Sequence, residues 1–495
     1  MRERPSGHRI QVDLSVDPGV VDARPEVEAP FCIALFGDFS ARGHRGIGDS
    51  ARGIATREPV LVDRDNLDEI LAGLRPELHV PLKGERDSAV RVQFRTFEDF
   101  HPDRLYERLP VFEGVRELRR RLGESAPQGQ PPRESPTEEP PATPVGGDLL
   151  DQIVRQSPAA GAAEELSPLE GGDLQLYLNR IVARHLVPGA DPRRQALLAA
   201  LDAATTGGLR ALLHHPDFQA LEALWRGVRF ITQAVESDAD VRLYLFDITK
   251  AELATDQQES ADAESSRVYR LLAEPPAAAP ESGWGALGGL YSFTPEAADL
   301  ELLGGFGTVA SLVGAPWISA ADPRLAGCDT IHSTPDPSDW VAEPRPEWQA
   351  VRRIPAARWI GLAMPRFLLR LPYGERGSRC EALSFEELSD RPAHDEYLWG
   401  NPAFACLVLL VQAVAEAGRP MCPGMKLEVG GLPLPTAQPC AEAVLGERAV
   451  ERIMDGGLMP LIATRDSDRI RLMRFQSISE PLAALRGRWM AGPQG

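Results

Sequence analysis

The residues best suited to chemistry stand together at His214-His215-Pro216-Asp217, followed by Gln219 and Glu222. Imidazoles and carboxylates in such a group are potential metal ligands or acid–base partners. His215, Gln219 and Glu222 fall at i, i+4 and i+7, so one helix face could present all three. A simpler reading uses the same residues. Pro suits the first helical position and Asp the positive end of a helix, so the histidines mark a helix start. Further along, Glu222 and Arg226 form an i, i+4 pair in the favourable acid-before-base order, flanking Trp225 on the apolar face. Exposed, such a pair contributes only about 0.3–0.5 kcal/mol. At a buried subunit contact it would set register and specificity. The expectation is that Glu222, Trp225 and Arg226 organise a subunit contact and bind no metal.

Other constellations are weaker. Gly43-His-Arg-Gly-Ile-Gly48-Asp49-Ser50 has the glycine spacing of a phosphate loop, but Asp49 stands where lysine is needed and would repel phosphate. It reads as a Gly/Arg loop after a strand. Cys380 with His394 suggests a thiol nucleophile, yet nothing in the sequence orients the two. No GxSxG, HExxH or kinase signature occurs. The six cysteines stand singly, with no CxxC and no histidine at zinc-finger spacing from a pair. The expectation is no catalytic residue, no metal, no cofactor, and a reducing compartment, most simply the cytoplasm.

The elements that would position these residues divide at one plain boundary. Residues 123–147, GESAPQGQPPRESPTEEPPATPVGG, hold seven prolines and almost no apolar side chains. Such a stretch cannot offset the entropy of folding and reads as an extended linker of up to about 75 Å. Before it, residues 1–122 read as an α/β unit. Ile10, Val12, Leu14 and Val16 alternate onto one face of a strand, and Phe31 to Phe36 read as a central strand. Pro59 to Val62 follow as a short strand, then a helix to about Leu74 capped by Asp63 or Asp65. Strands at Val80 and Val90 to Phe94 come next, and a helical region runs from Phe100 through Arg121.

After the linker, residues 148–495 open with a short amphipathic helix, Asp148 to Gln156, whose Leu149, Leu150, Ile153 and Val154 form an apolar stripe. A helical region near 173–187 and a helix near 216–236 follow. Strands at Val241 to Ile248, Gly289 to Phe293 and Trp317 to Ala320 alternate with a helix from about Pro295 to Val313. Later elements are a strand near Trp359 to Leu362, helices near 401–417 and 441–455, and a strand from Ile470 to Phe475. The rhythm is that of a mixed α/β fold with some parallel pairing.

The chain has 495 residues and 53 Lys plus Arg against 72 Asp plus Glu, a net charge of −19. That surplus argues against nucleic acid or an anionic membrane surface as the main partner. The apolar run Ala403 to Val411 is too short to span a bilayer, and MRERPSGHRI lacks the apolar core of a secretory signal. The expectation is no direct membrane insertion.

The segment Leu213-His-His-Pro-Asp-Phe-Gln-Ala-Leu-Glu-Ala-Leu-Trp-Arg-Gly227 resembles the signature helix of the large contractile-sheath subunit of type VI secretion systems, TssC (VipB, ImpC). LYLFDITKAEL (243–253), PWISA (316–320), GLAMPRFLLRLPYG (361–374), YLWGN (397–401), GGLP (430–433), GGLMP (456–460) and RFQSI (474–478) agree in order, so the likeness covers most of residues 148–489. Residues 1–122 resemble the small subunit, TssB (VipA), through PFCIALFGDFS (30–40), PVLVDRDNLDEIL (59–71) and FEDFHP (97–102). The resemblance implies two sheath-type α/β units fused through the proline-rich linker. It implies a non-enzymatic subunit that polymerises around an Hcp-like inner tube, nucleates on baseplate proteins, contracts to propel the tube, and is dismantled by a ClpV-type AAA+ ATPase. That ATPase would grip the helix of Leu149, Leu150, Ile153 and Val154, and the Ile10–Val16 strand would pair with a neighbouring chain. Common large subunits continue into a strand-bearing tail beyond the region matched here. An accessory paralogue that caps or adapts the sheath or baseplate without polymerising alone is the alternative reading.

Overall fold

The computed structural model describes residues 30–46, 51–81, 89–124, 191–235, 240–274, 283–341, 345–421, 424–435 and 438–490. The expected strand Ile10–Val16, the helix of Leu149, Leu150, Ile153 and Val154, the helical region near 173–187, and the proline-rich stretch from residue 125 on lie outside them.

In chain order the strands are β1 (Phe31–Gly37), β2 (Val60–Val62), β3 (Glu77–Pro81), β4 (Ala89–Gln93), β5 (Val241–Asp247), β6 (Trp284–Phe293), β7 (Trp317–Ala321), β8 (Ile360–Met364), β9 (Phe367–Leu368), β10 (Trp399–Gly400), β11 (Glu428–Val429), β12 (Met459–Ala463) and β13 (Ile470–Leu472). Nine of them make one sheet in the order β11-β13-β12-β8-β7-β6-β1-β5-β2. The six strands from β12 to β5 run parallel, and β2, β13 and β11 add antiparallel edges. β3–β4 and β9–β10 are separate antiparallel pairs.

The central strand comes from the first segment. β1 lies between β5 and β6, in register with β5 from Phe31↔Val241 to Gly37↔Asp247. Its composition suits that place. A strand covered on both faces needs apolar residues throughout rather than alternately. Ile33 and Leu35 enter the core on one face of the sheet, and Cys32, Ala34 and Phe36 enter the core on the other. Among the described residues the first segment shares a core with the second: Ile33, Leu35, Leu78 and Phe100 pack in one cluster with Leu221 and Trp225. Its two strands β1 and β2 belong to the shared sheet, and β3–β4 alone pair locally.

Helices cover both faces. Pro216–Ala234 packs Phe218, Leu221, Trp225, Val228 and Ile231 inward, the stripe its spacing predicts. Gly227 on this helix is required by close approach: a Cβ there would lie 2.0 Å from the Phe404 ring of the helix Ala403–Ala417.

Three local readings change. The helix Leu67–Leu74 starts after Asn66. Asp63 instead accepts the N–H groups of Asp65 and Asn66 in the preceding turn. The helical region from Phe100 to Arg121 is broken at Leu109-Pro110 into Pro102–Arg108 and Glu113–Glu124, because proline lacks an N–H and restricts the residue before it. A helix at Asp191–Leu213 was not expected. Its part Arg194–Leu213 is long and apolar enough, by length and composition, to cross a membrane, yet Leu201, Leu209, Leu212 and Leu213 are packed in the protein core.

Candidate functional site at the seam between the two segments

The feature of this fold with no counterpart in an ordinary α/β domain is the seam where residues 30–124 meet residues 191–490. Its centre is the ladder of β1 with β5 and β6. Aromatic contacts extend it on both faces. Phe36 stacks on Phe246 at 4.7 Å, and Phe94 and Phe100 meet Phe218 edge-on at 5.7 and 6.0 Å. Trp225, fully buried, donates its Nε1–H to the carbonyl of Phe39 at 3.0 Å.

Charge closes the seam beyond the carboxyl end of β1. Arg57 spans both oxygens of Glu252, one of them at 2.8 Å, and also donates to the carbonyl of Asp247 at 2.9 Å. Arg42 donates to that carbonyl at 2.6 Å, and Asp247 Oδ1 accepts the N–H of Ser40 at 3.0 Å. Burial pushes the Glu252 carboxyl up. The hydrogen bonds from Arg57 and from the Thr249 N–H outweigh it and hold the group below the usual carboxylate range. Asp103 accepts the N–H groups of Glu381 and Ala382 at 2.8 and 3.1 Å, and Arg119 meets Asp202 at 2.7 Å.

Glu222 sits in a buried charge cluster. Arg370 donates Nε to Glu222 Oε1 at 2.7 Å, and Nη1 and Nη2 to Glu387 at 2.6 and 2.8 Å. Arg226 donates Nε to the same Glu222 oxygen at 2.7 Å and Nη2 to the Tyr373 hydroxyl at 2.9 Å. Glu387 also accepts the Tyr373 N–H at 2.7 Å. His101, from the first segment, packs edge-on against the Tyr373 ring at 4.8 Å. Burial pushes the Glu222 carboxyl up, but the two guanidinium groups outweigh it and the net shift is downward. Arg370 is raised well above its ordinary value, the attraction of Glu222 and Glu387 exceeding the cost of its burial.

Of Glu222, Trp225 and Arg226, the residues expected at a subunit contact, Arg226 alone keeps part of its side chain exposed, 19%. Glu222 and Trp225 are fully enclosed by this chain, so they do not face outward toward another subunit. Trp225 contacts the other family segment of its own chain, and Glu222 anchors the loop that carries Arg370. Sequence reasoning missed Arg370 and Glu387. The available signal was an arginine inside the apolar run Phe367-Leu-Leu-Arg-Leu371, a charge that must find a partner if buried.

The histidine group disperses. His215 Nδ1 accepts the N–H of Asp217 at 3.3 Å and caps the helix, with Pro216 in the first turn. Gln219 donates to the carbonyl of Asp395 at 2.7 Å, so His215, Gln219 and Glu222 converge on no common point. Burial holds His214 below the ordinary histidine value. Asp38 accepts the N–H groups of Arg42 and Gly43 at the start of the glycine loop, and residues 47–50 lie outside the described residues. Cys380 lies with His101 and Asp103, not with His394, and burial pushes its thiol up to about 12, so it holds no thiolate at neutral pH.

Comparison with known proteins fits this geometry. Residues 195–479 match the family described as VipB: EvpB/VC_A0108, tail sheath N-terminal domain. Residues 2–126 match the family described as Type VI secretion system, VipA, VC_A0107 or Hcp2. The chain is 30% identical over 313 residues to the "Type VI secretion system sheath protein TssC1" of Pseudomonas aeruginosa, across 58% of this chain and 61% of that protein. It thus spans about three-fifths of the length of that relative. The matched residues divide where the proline-rich stretch lies, and β1, from the VipA-type part, is the strand that fills the VipB-type sheet. This chain belongs to the type VI secretion sheath family, with a VipA (TssB) segment and a VipB (TssC) segment joined in one polypeptide.

Proposed function

We propose that the chain is a structural, non-enzymatic subunit of a contractile type VI secretion sheath. It polymerises in the cytoplasm as a helical tube around an Hcp-like inner tube, starting from baseplate proteins, and contracts to drive that tube outward. The observation that supports this reading is the insertion of β1 between β5 and β6. A protomer that transmits a stroke must move as one body, and a shared central strand couples its two halves. Repetition of one heterologous contact that does not close then gives a helical polymer.

Neighbours are joined by β-augmentation in this proposal. β2 ends the sheet, with Leu61 36% exposed on that strand, and an edge strand offers unpaired backbone groups to another chain. The occupant is the strand carrying Ile10, Val12, Leu14 and Val16 of an adjacent subunit. Deleting residues 1–18 is expected to leave a folded monomer and abolish large assemblies in sedimentation velocity. Assembly that persists at the wild-type level would refute the role of that strand, and wild-type chains that form only discrete oligomers would favour the accessory paralogue.

Recycling is assigned to a ClpV-type ATPase that docks the segment holding Leu149, Leu150, Ile153 and Val154. A nine-residue helix is marginal alone and gains order in a groove. A peptide of residues 146–158 is expected to bind the amino-terminal domain of such an ATPase by calorimetry, with at least a tenfold loss for Leu150→Ala with Ile153→Ala. Absence of binding removes this segment from the mechanism.

A further inference from the structure

Beyond the carboxyl ends of β6, β7 and β8 lies a cavity of about 490 Å³, bordered by Ser292, Ala321 and Met364 and floored by Leu224 and Phe404. The carboxyl edge of parallel strands is where open α/β sheets hold their ligands, and this volume is within the usual range for a small-molecule site. The seam described above does not use it. Three segments far apart in sequence bring His332, His394 and Glu442 together on its wall, with ligand-capable atoms that all lie within 4.8 Å of one another.

We propose that His332, His394 and Glu442 bind one divalent transition-metal ion of the zinc class, with an open coordination position facing the cavity. Two imidazoles and one carboxylate are a donor set that zinc accepts, and three protein ligands leave a position for water or a small ligand. His394 Nε2 lies 3.1 Å from Glu442 Oε1 and pairs with that carboxylate, and it bonds no other group among the described residues. Two ligands about 2.1 Å from a shared tetrahedral ion are roughly 3.4 Å apart, close to this separation. The carboxylate is already aimed. Arg366 donates its backbone N–H and its Nε to Glu442 Oε2, both at 3.1 Å, and its Nη2 to Oε1 at 2.7 Å. Oε1 keeps a lone pair on the His394 side, and Arg366 orients the carboxylate as outer-shell groups orient metal ligands. The imidazole of His394 is held between Trp399, at 5.1 Å, and the ring of His332, stacked at 3.8 Å. His332 is exposed, so rotation of its side chain can turn a nitrogen toward the pair without disturbing the core.

The second group of metal-capable side chains, His101, Asp103 and Cys380, is a poorer candidate and serves as an internal comparison. Both Asp103 oxygens are taken by the N–H groups of Glu381 and Ala382.

The test titrates the tag-free full chain with zinc, after chelator treatment, in competition with a chromophoric chelator. A cobalt titration then reports ligand type by absorption. The expected result is one equivalent of zinc per chain, unaffected by Cys380→Ala and weakened tenfold or more by His332→Gln and by His394→Ala. The cobalt form is expected to lack thiolate charge-transfer bands. His332→Gln alters an exposed side chain and keeps the comparison free of misfolding. Absence of stoichiometric zinc, zinc binding that survives His332→Gln, or cobalt bands that vanish with Cys380→Ala would each overturn the proposal.

Discussion

Replacing Arg370 with methionine is expected to destabilise the protein by about 3–5 kcal/mol, the usual loss when one member of a buried ion cluster is removed. Arg370 is the only cation that bonds both Glu222 and Glu387 among the described residues, and both carboxylates are at most 1% exposed. Without it, Glu387 keeps only the Tyr373 N–H and the more distant His214, and Glu222 keeps only Arg226. The cost arises from stranded charge rather than from lost packing, since methionine fills much of the same volume. Adding Glu222→Gln and Glu387→Gln to Arg370→Met should therefore recover a substantial part of the loss, because removing a whole buried cluster is far less damaging than breaking it. Chemical denaturation of the wild type and the two variants checks this. A loss below about 1 kcal/mol for Arg370→Met alone would show that the cluster carries little stability. The wild-type cluster also has an acid limit. Because Glu222 is held below the usual carboxylate range when folded, its stabilising contribution is complete above that range and is lost as pH falls through the folded value.

The sequence made some of this legible and concealed the rest for identifiable reasons. Phe31 to Phe36 could be read as a central strand because every position is apolar, the mark of a strand buried on both faces. Its partners could not be read. They lie some 200 residues away, and nothing local in β1 prefers β5 and β6 over a sheet within its own segment. The helix Pro216–Ala234 was legible from its apolar period and its Pro-Asp start. Glu222 was seen on the apolar face, but Arg370, which bonds it together with Arg226, comes from a loop 148 residues on, and the local pair with Arg226 suggested a subunit contact. The helix Asp191–Leu213 was missed because it contains a Pro, a Thr-Thr and a Gly-Gly pair and its leucines form no single continuous stripe. The grouping of His332, His394 and Glu442 had no sequence signal, since its members belong to three segments far apart in the chain with no ligand spacing.

The two family segments share one sheet, held by β1 rather than by the covalent connection alone. Cys32, Ile33, Ala34, Leu35 and Phe36 are all fully buried between β5 and β6. Full burial of each large apolar side chain is worth about 1.5–3 kcal/mol, so the strand alone contributes many times thermal energy. Trp225 and the Arg57–Glu252 pair add to it on opposite sides of the seam. The most direct measurement introduces a protease site within residues 125–147, cuts the folded protein, and follows the two fragments by gel filtration with and without Phe36→Asp. We expect the fragments of the cut protein to co-elute in equal amounts and to separate only in denaturant, with Phe36→Asp releasing them under native conditions. Separation of the unmutated fragments after cutting, with each remaining folded, would contradict the shared sheet and the single sheath protomer built on it.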